Sequence, residues 1–197
     1  MQIPKNKLGI ADRCKLDEAE AEALKTAFDK LCGMFEATHR FTSADIGVIH
    51  KTWLEEIYEW AGQYRQVNVS KGDISFATVK QIPQLMTVLE KGPLHRHTPC
   101  NFISADRVAR ALAEIHVELI LIYPFPEGNG RTARILAALM ASQAGLPILN
   151  FSDIAGRKKS GYFSAIHRGL YGDYKPMEEI FGQIILRSVK VRRHRAC

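Results

Sequence analysis

The chain has 197 residues, 46% of them hydrophobic, and a formal net charge of +6. That length and composition fit one globular domain over 1–197 with a real core, and no apolar run approaches the roughly 20 residues a membrane helix needs. Five of the charges (Arg187, Lys190, Arg192, Arg193 and Arg195) lie in a basic tail, 187–197, that contains no acid and leaves the rest of the chain at +1. The tail reads as a solvated helix end, so neither a membrane nor a nucleic-acid partner is expected. Cys14, Cys32, Cys100 and Cys197 are scattered without a C-x-x-C pair, and the opening MQIPKNKLGIADR has no apolar run of the secretory kind. The expected location is therefore the reducing cytoplasm, with export as an effector an open alternative.

In chain order, Asp17 to Phe35 places Ala21, Leu24, Phe28, Leu31 and Phe35 at helical spacing. A second helix is expected from a Thr42 or Ser43 cap to Gly62, with Ile46, Ile49, Trp53, Ile57 and Trp60 on one face. The period then changes. Val67 and Val69, a Lys-Gly-Asp turn, then Ile74 and Phe76 read as a lone β-hairpin over 67–77, whose open edge can pair with another chain. LHRHTPCNF (94–102) reads as a loop, and His95 and His97 lack a third metal ligand nearby. Ala105 to Ile122 is apolar on more than one side and is expected to be the central helix, stopped by Pro124. Further helices are expected over Arg131–Ala144, over KSGYFSAIHRGLYG and over YKPMEEIFGQIILRSV. The fold class is all-α with one short hairpin.

The chemistry concentrates in YPFPEGNGR, 123–131. Gly128, Asn129 and Gly130 lead into a helix whose first N–H groups lack internal acceptors, and glycines let an anion approach that backbone closely. Arg131 and Arg134 share a face one turn apart and can fork a polyphosphate. Glu127 can hold Mg²⁺ beside those phosphates, and the Asn129 amide can donate to a phosphate oxygen. No Walker A motif and no βαβ pattern occur.

YPFPEGNGRTAR resembles the Fic-domain motif His-x-Phe-x-(Asp/Glu)-Gly-Asn-Gly-Arg-x-x-Arg, matching at Phe125, Glu127, Gly128, Asn129, Gly130, Arg131 and Arg134. Upstream, WAGQYR resembles the family's Trp-Ala-Gly-x-x-Arg segment, SKGDISF its flap, and Tyr162 the aromatic near its adenine pocket. The resemblance covers about 44–185. It implies a Fic-type helical bundle that transfers AMP from ATP to a hydroxyl side chain of a target protein. The loop and Asn129, Arg131 and Arg134 would hold the phosphates, Glu127 the Mg²⁺, and the flap residues Lys71, Gly72, Asp73, Ile74, Ser75 and Phe76 the target's backbone. The intact Gly-Asn-Gly-Arg speaks against the Doc-like branch, which transfers phosphate alone.

One position departs. The family's histidine, the base that takes the hydroxyl's proton, is Tyr123 here. A phenol with a pKa of about 10 is roughly one-thousandth ionised at pH 7, and losing a general base costs about 10²- to 10⁴-fold in rate. His116, seven residues earlier, lies roughly 10 Å away along a helix and is expected to be a packing residue. Three readings follow: a pseudoenzyme that binds nucleotide or protein, a tuned or modified Tyr123, or a recent loss of the histidine from an otherwise intact site. The third is favoured because the rest of the motif survives. The family's inhibitory Ser/Thr-x-x-x-Glu-Gly/Asn helix is not found, since Thr52 to Glu56 has the spacing but is followed by Ile57. A small antitoxin-like protein supplying that glutamate in trans is therefore expected.

Overall fold

The computed structural model describes residues 3–71, 74–155 and 159–195. The architecture is helical with one two-stranded hairpin, as the periodicity implies. Helix α1 (Arg13–Met34) is capped by Asp12, whose carboxylate accepts the Lys15 N–H at 2.9 Å. Its buried face is rotated from the expected stripe. Leu16, Glu20, Ala27 and Leu31 point inward, Ala21 is exposed, and Leu24 and Phe28 are half-buried. Helix α2 (Ser43–Leu54) starts with a reciprocal box between Thr42 and Asp45.

Helix α2 stops well short of Gly62. Ile57 and Trp60 continue its apolar period, but the chain turns after Leu54, with the Ile57 and Tyr58 N–H groups both donating to the Leu54 carbonyl. The turn lets the Gly62 N–H reach His50 Nδ1 at 2.8 Å. In an uninterrupted helix those residues would be about 18 Å apart along the axis. Gly62 takes φ +80 in a space where a Cβ would lie 2.9 Å from the Lys51 Cβ.

The hairpin follows. Strands β1 (Ser70–Lys71) and β2 (Ile74–Ser75) pair antiparallel in the register Ser70↔Ser75, Lys71↔Ile74. It is shorter than 67–77, and its turn residues Gly72 and Asp73 lie outside the described residues. A 3₁₀ turn, Val79–Gln81, leads into α3 (Ile82–Leu89), a π-helical turn Glu90–Leu94 and the single turn α4 (His95–His97). This segment corrects the loop expected from residue 94: Leu94 is buried and the helical path persists through His97.

Helix α5 (Ala105–Ile122) is the core, packed against α6 (Asn129–Gln143), α8 (Lys159–Gly169), α9 (Lys175–Arg195) and α3. Its Val108, Leu112, Ile115, Leu119 and Ile122 are all buried, as their spacing predicts. A short turn, α7 (Ser152–Ala155), precedes α8, and α1 closes over α2 and α6. Helix α9 extends past the expected boundary near 189 and carries the backbone of the basic tail to Arg195. Among the described residues, no helix is long and apolar enough to cross a membrane.

Candidate active site

The 123–130 loop is held by side chains that reach for its carbonyls. Helix α5 ends where the Tyr123 N–H donates to the Leu119 carbonyl, and Tyr123 takes the left-handed conformation, φ 52 and ψ 60. The buried Arg65 receives the turned chain. Its Nε donates to the Tyr123 carbonyl at 2.8 Å, its Nη1 to Val67 at 2.6 Å and its Nη2 to Ala77, while its backbone N–H donates to Pro124. One guanidinium thus ties the base of the hairpin to the start of the loop. Burial lowers its pKa, but the guanidinium stays charged.

Phe125 is wholly buried and stacks on His50, ring centroids 3.9 Å apart. Because His50 Nδ1 accepts from Gly62, its Nε2 carries the proton and donates to the Glu127 carbonyl at 3.1 Å. Burial pushes the His50 pKa down to about 4, so this bridge is neutral. Asn129, first residue of α6 and 1% exposed, accepts the Phe125 N–H and donates to the Phe125 carbonyl, both at 2.8 Å. Its amide also touches the Tyr123 hydroxyl. Both ends of the amide meet the Phe125 backbone, so Asn129 closes the loop. Gly128 caps α6 at φ +81, pressed against Trp53.

The loop forms one wall of a cleft of about 310 Å³. The hairpin contributes Lys71 and Phe76, the loop contributes Tyr123, Glu127, Gly128 and Gly130, α6 contributes Arg131 and Arg134, and α8 contributes Tyr162 and Phe163. All of these except Phe163 are expected site residues, brought together from distant parts of the chain. The flap leans on the cleft at two points. Phe76 stacks on Tyr123 at 4.0 Å, and Lys71 Nζ sits 5.9 Å from the Phe163 ring centre. Ile74 and Ser75 belong to β2, and Gly72 and Asp73 fall outside the described residues.

The two arginines differ. Arg131 Nη2 lies 2.5 Å from Glu20 Oε2, and its guanidinium covers Trp53 at 4.6 Å. Arg134 has no acidic partner among the described residues, and burial together with Arg131 lowers its pKa. The Tyr123 phenol is pushed up, first by burial and then by Glu127, against smaller opposing effects of Asn129, Arg131 and Arg65. Tyr162 is pushed to about 12 by burial, and its hydroxyl pairs with His116 Nε2 at 2.7 Å. His116 is 1% exposed and pushed down to about 3 by burial and Arg134, which matches its expected packing role. A second groove, about 510 Å³, runs from Leu24 and Phe28 of α1 past Ile135 and Ile148 to the same two arginines.

Besides Phe163, two polar contributors were not singled out in the sequence, His50 and Glu20. Both had a signal: each is a polar residue on an otherwise apolar helix face, His50 beside Ile46, Ile49 and Trp53, and Glu20 one turn from Leu16. The glutamate signal was masked because the predicted face of α1 was rotated.

A family model described as Fic/DOC family matches residues 40–141. The probable protein adenylyltransferase Fic of Escherichia coli K12 is 26% identical over 192 residues, covering 94% of this chain and 88% of that protein. The FIC domain of Bep8 from Bartonella sp. 1-1C superposes with a TM-score of 0.77 at 25% identity, over 94% of this chain and 91% of that one. BepC of Bartonella tribocorum, solved with bound AMPPNP, superposes with a TM-score of 0.72 at 26% identity, over 91% and 90%. With the matched segment spanning more than half its length and holding the whole 123–134 motif, the chain belongs to the Fic/DOC family, among relatives named as protein adenylyltransferases.

Proposed function

We propose that the chain is a Fic-type adenylyltransferase scaffold that binds ATP with Mg²⁺ and, with Tyr123 in place, transfers AMP to a protein hydroxyl only weakly. The observation that carries this reading is Tyr123 itself, set in the neck of a cationic cleft with its phenol pushed further from ionisation. ATP is supported by the cleft's chemistry. Arg134 lacks a counter-charge among the described residues, α6 starts at the cleft, and Tyr162 and Phe163 offer ring surfaces for a base. The AMPPNP bound to BepC supports the same nucleotide class.

A metal fits on the donor set. Glu127 lines the cleft, with Oε1 3.2 Å from the Gly128 N–H. Among the described residues no cluster of three His, Cys, Asp or Glu exists that could hold an ion alone. One carboxylate completed by substrate phosphates and water is the habit of Mg²⁺, which would supply charge neutralisation for the leaving pyrophosphate.

In the reaction, the target's hydroxyl oxygen bonds to the α-phosphorus, the bond to the β-phosphate oxygen breaks, and pyrophosphate leaves. The hydroxyl proton needs an acceptor at position 123. A protonated phenol cannot accept it, and the expected loss is about 10²- to 10⁴-fold. The target would add to the free edge of the β1–β2 hairpin. Tyr123 also sits in a left-handed backbone position, where histidine is enriched and a bulky residue is unusual. That favours a histidine lost from an intact site. The stack on Phe76 favours the alternative, a binding module in which Tyr123 has a packing role.

The second groove supports a partner in trans. On α1 it is lined by Leu24 and Phe28 with Lys25 and Asp29 beside them, and it ends at Arg134, so it suits a small antitoxin-like protein presenting a helix with a glutamate. Co-purification with the product of the adjacent gene tests this, and a chain that stays monomeric beside that product refutes it.

The main test incubates the chain and Tyr123→His with Mg²⁺, α-labelled ATP and cell lysate. Label on protein with Tyr123→His alone is the expected result. Equal labelling by both chains would show that another group accepts the proton. Nucleotide binding without labelling by either would favour the binding module.

A further inference from the structure

Glu20 lies on α1, outside the segment that the family model matches, and its residue is 0% exposed. A fully buried carboxylate needs a counter-charge and hydrogen-bond donors. Tyr58 donates its hydroxyl to Glu20 Oε1, and Trp53 Nε1 donates to the Glu20 backbone carbonyl at 2.9 Å. Arg131 Nη2 is 2.5 Å from Oε2 in an ion pair whose angle misses hydrogen-bond geometry, so Oε2 has no hydrogen-bond partner. Arg131 also spreads over Trp53, the ring against which Gly128 is pressed. Carboxylate, indole, guanidinium and loop glycine are therefore one packed unit, built by α1, α2 and α6.

We infer that Glu20 is a positioning residue that neutralises Arg131 and fixes its fork against Trp53, so that the charge of a bound polyphosphate is read by Arg134 and its geometry by Arg131. The inference rests on the anion-site reading above and divides the work between two arginines that the motif presents as equals. Without Glu20 the cleft would hold two free guanidinium charges. A polyanion would bind more tightly, but against an arginine with no fixed direction. The carboxylate thus trades ground-state attraction for orientation.

The probe is inorganic pyrophosphate, titrated calorimetrically into the full chain, Glu20→Gln, Arg131→Gln and the double variant, at two salt concentrations. Glu20→Gln is expected to bind roughly tenfold more tightly, with a steeper loss of affinity at high salt, because one net positive charge is added beside the anion. In the Arg131→Gln background the same change should give a clearly smaller gain, since a negative charge is still removed but no arginine is released toward the anion. A helix-packing role alone would not tighten anion binding, nor would its effect depend on Arg131. If Glu20→Gln unfolds, Glu20→Met fills similar volume without charge and carries the same expectation. Unchanged or weaker binding by Glu20→Gln, or a gain of equal size without Arg131, overturns the inference and leaves the anion site standing. If no variant binds pyrophosphate, the anion-site reading falls, and this inference with it.

Discussion

Gly128→Ala tests whether the loop is built against Trp53 or merely lies near it. Gly128 sits at φ +81, where an L-residue costs about 1 kcal/mol more than glycine. The added Cβ would also lie 2.8 Å from Trp53 Cζ3, 3.3 Å from Cη2 and 3.4 Å from His50 Nε2. Trp53 cannot move aside cheaply. It is 2% exposed, its Nε1 is bonded to the Glu20 carbonyl, and Arg131 covers its face. Overpacking of this kind adds about 1–3 kcal/mol, for a total of about 2–4 kcal/mol. In a chain of this length that lowers Tm by roughly 5–15 °C. Gly145→Ala is the control. It shares the backbone strain at φ +71, but a Cβ there meets nothing within 4 Å, so about 1 kcal/mol and roughly 2–4 °C are expected. Thermal unfolding followed by circular dichroism measures both. Equal losses in the two variants would refute the close fit of Gly128 on Trp53.

Two further outcomes follow from the side chains that hold the loop. His50 has a folded pKa of about 4 against an ordinary 6.5, so its stabilising contribution is complete above about pH 6.5 and is lost as pH falls toward 4. His50→Gln should lower the unfolding free energy at pH 7 and flatten its decline between pH 7 and 4.5 by up to about 3 kcal/mol, and parallel declines in variant and parent would contradict the neutral bridge. Arg65→Lys keeps the charge but cannot reach Tyr123, Val67 and Ala77 together, so a loss of about 2–3 kcal/mol and faster proteolysis within the hairpin are expected. Unchanged cleavage would mean that the flap is held by its ring contacts alone.

Helix α5 was legible to the residue because its apolar positions repeat on several faces and Pro124 ends it. Helix α2 was overextended because periodicity records which side chains are buried and is silent on whether the backbone between them stays helical. Ile57 is buried from a turn as fully as it would be from a helix. The lining of the cleft was legible from residue type at Arg131, Arg134, Glu127, Gly128 and Gly130. The site was not legible where an identity serves two chemistries. The backbone role of Asn129 is such a case, because an amide can bind phosphate or backbone and only the loop's path returns Phe125 to it. Arg131 and Arg134 look equivalent in sequence because the carboxylate that separates them lies over a hundred positions away.

The same contacts explain how position 123 can change without dissolving the site. Arg65 holds the Tyr123 carbonyl, Asn129 holds both backbone groups of Phe125, and His50 holds the Glu127 carbonyl. None of these bonds uses the Tyr123 ring. Beyond the contact of its hydroxyl with Asn129, what that ring does is stack on Phe76, and any flat ring of similar breadth can lie there. Histidine is such a ring, is more at ease at φ 52, and has a pKa near the working pH where the phenol does not. The backbone bonds that hold the loop are therefore indifferent to the exchange, and the expected change is in the chemistry. That is why a single substitution at Tyr123 is expected to change transfer by orders of magnitude with little change in Tm, and why a large stability change in Tyr123→His would argue that the tyrosine had become part of the fold.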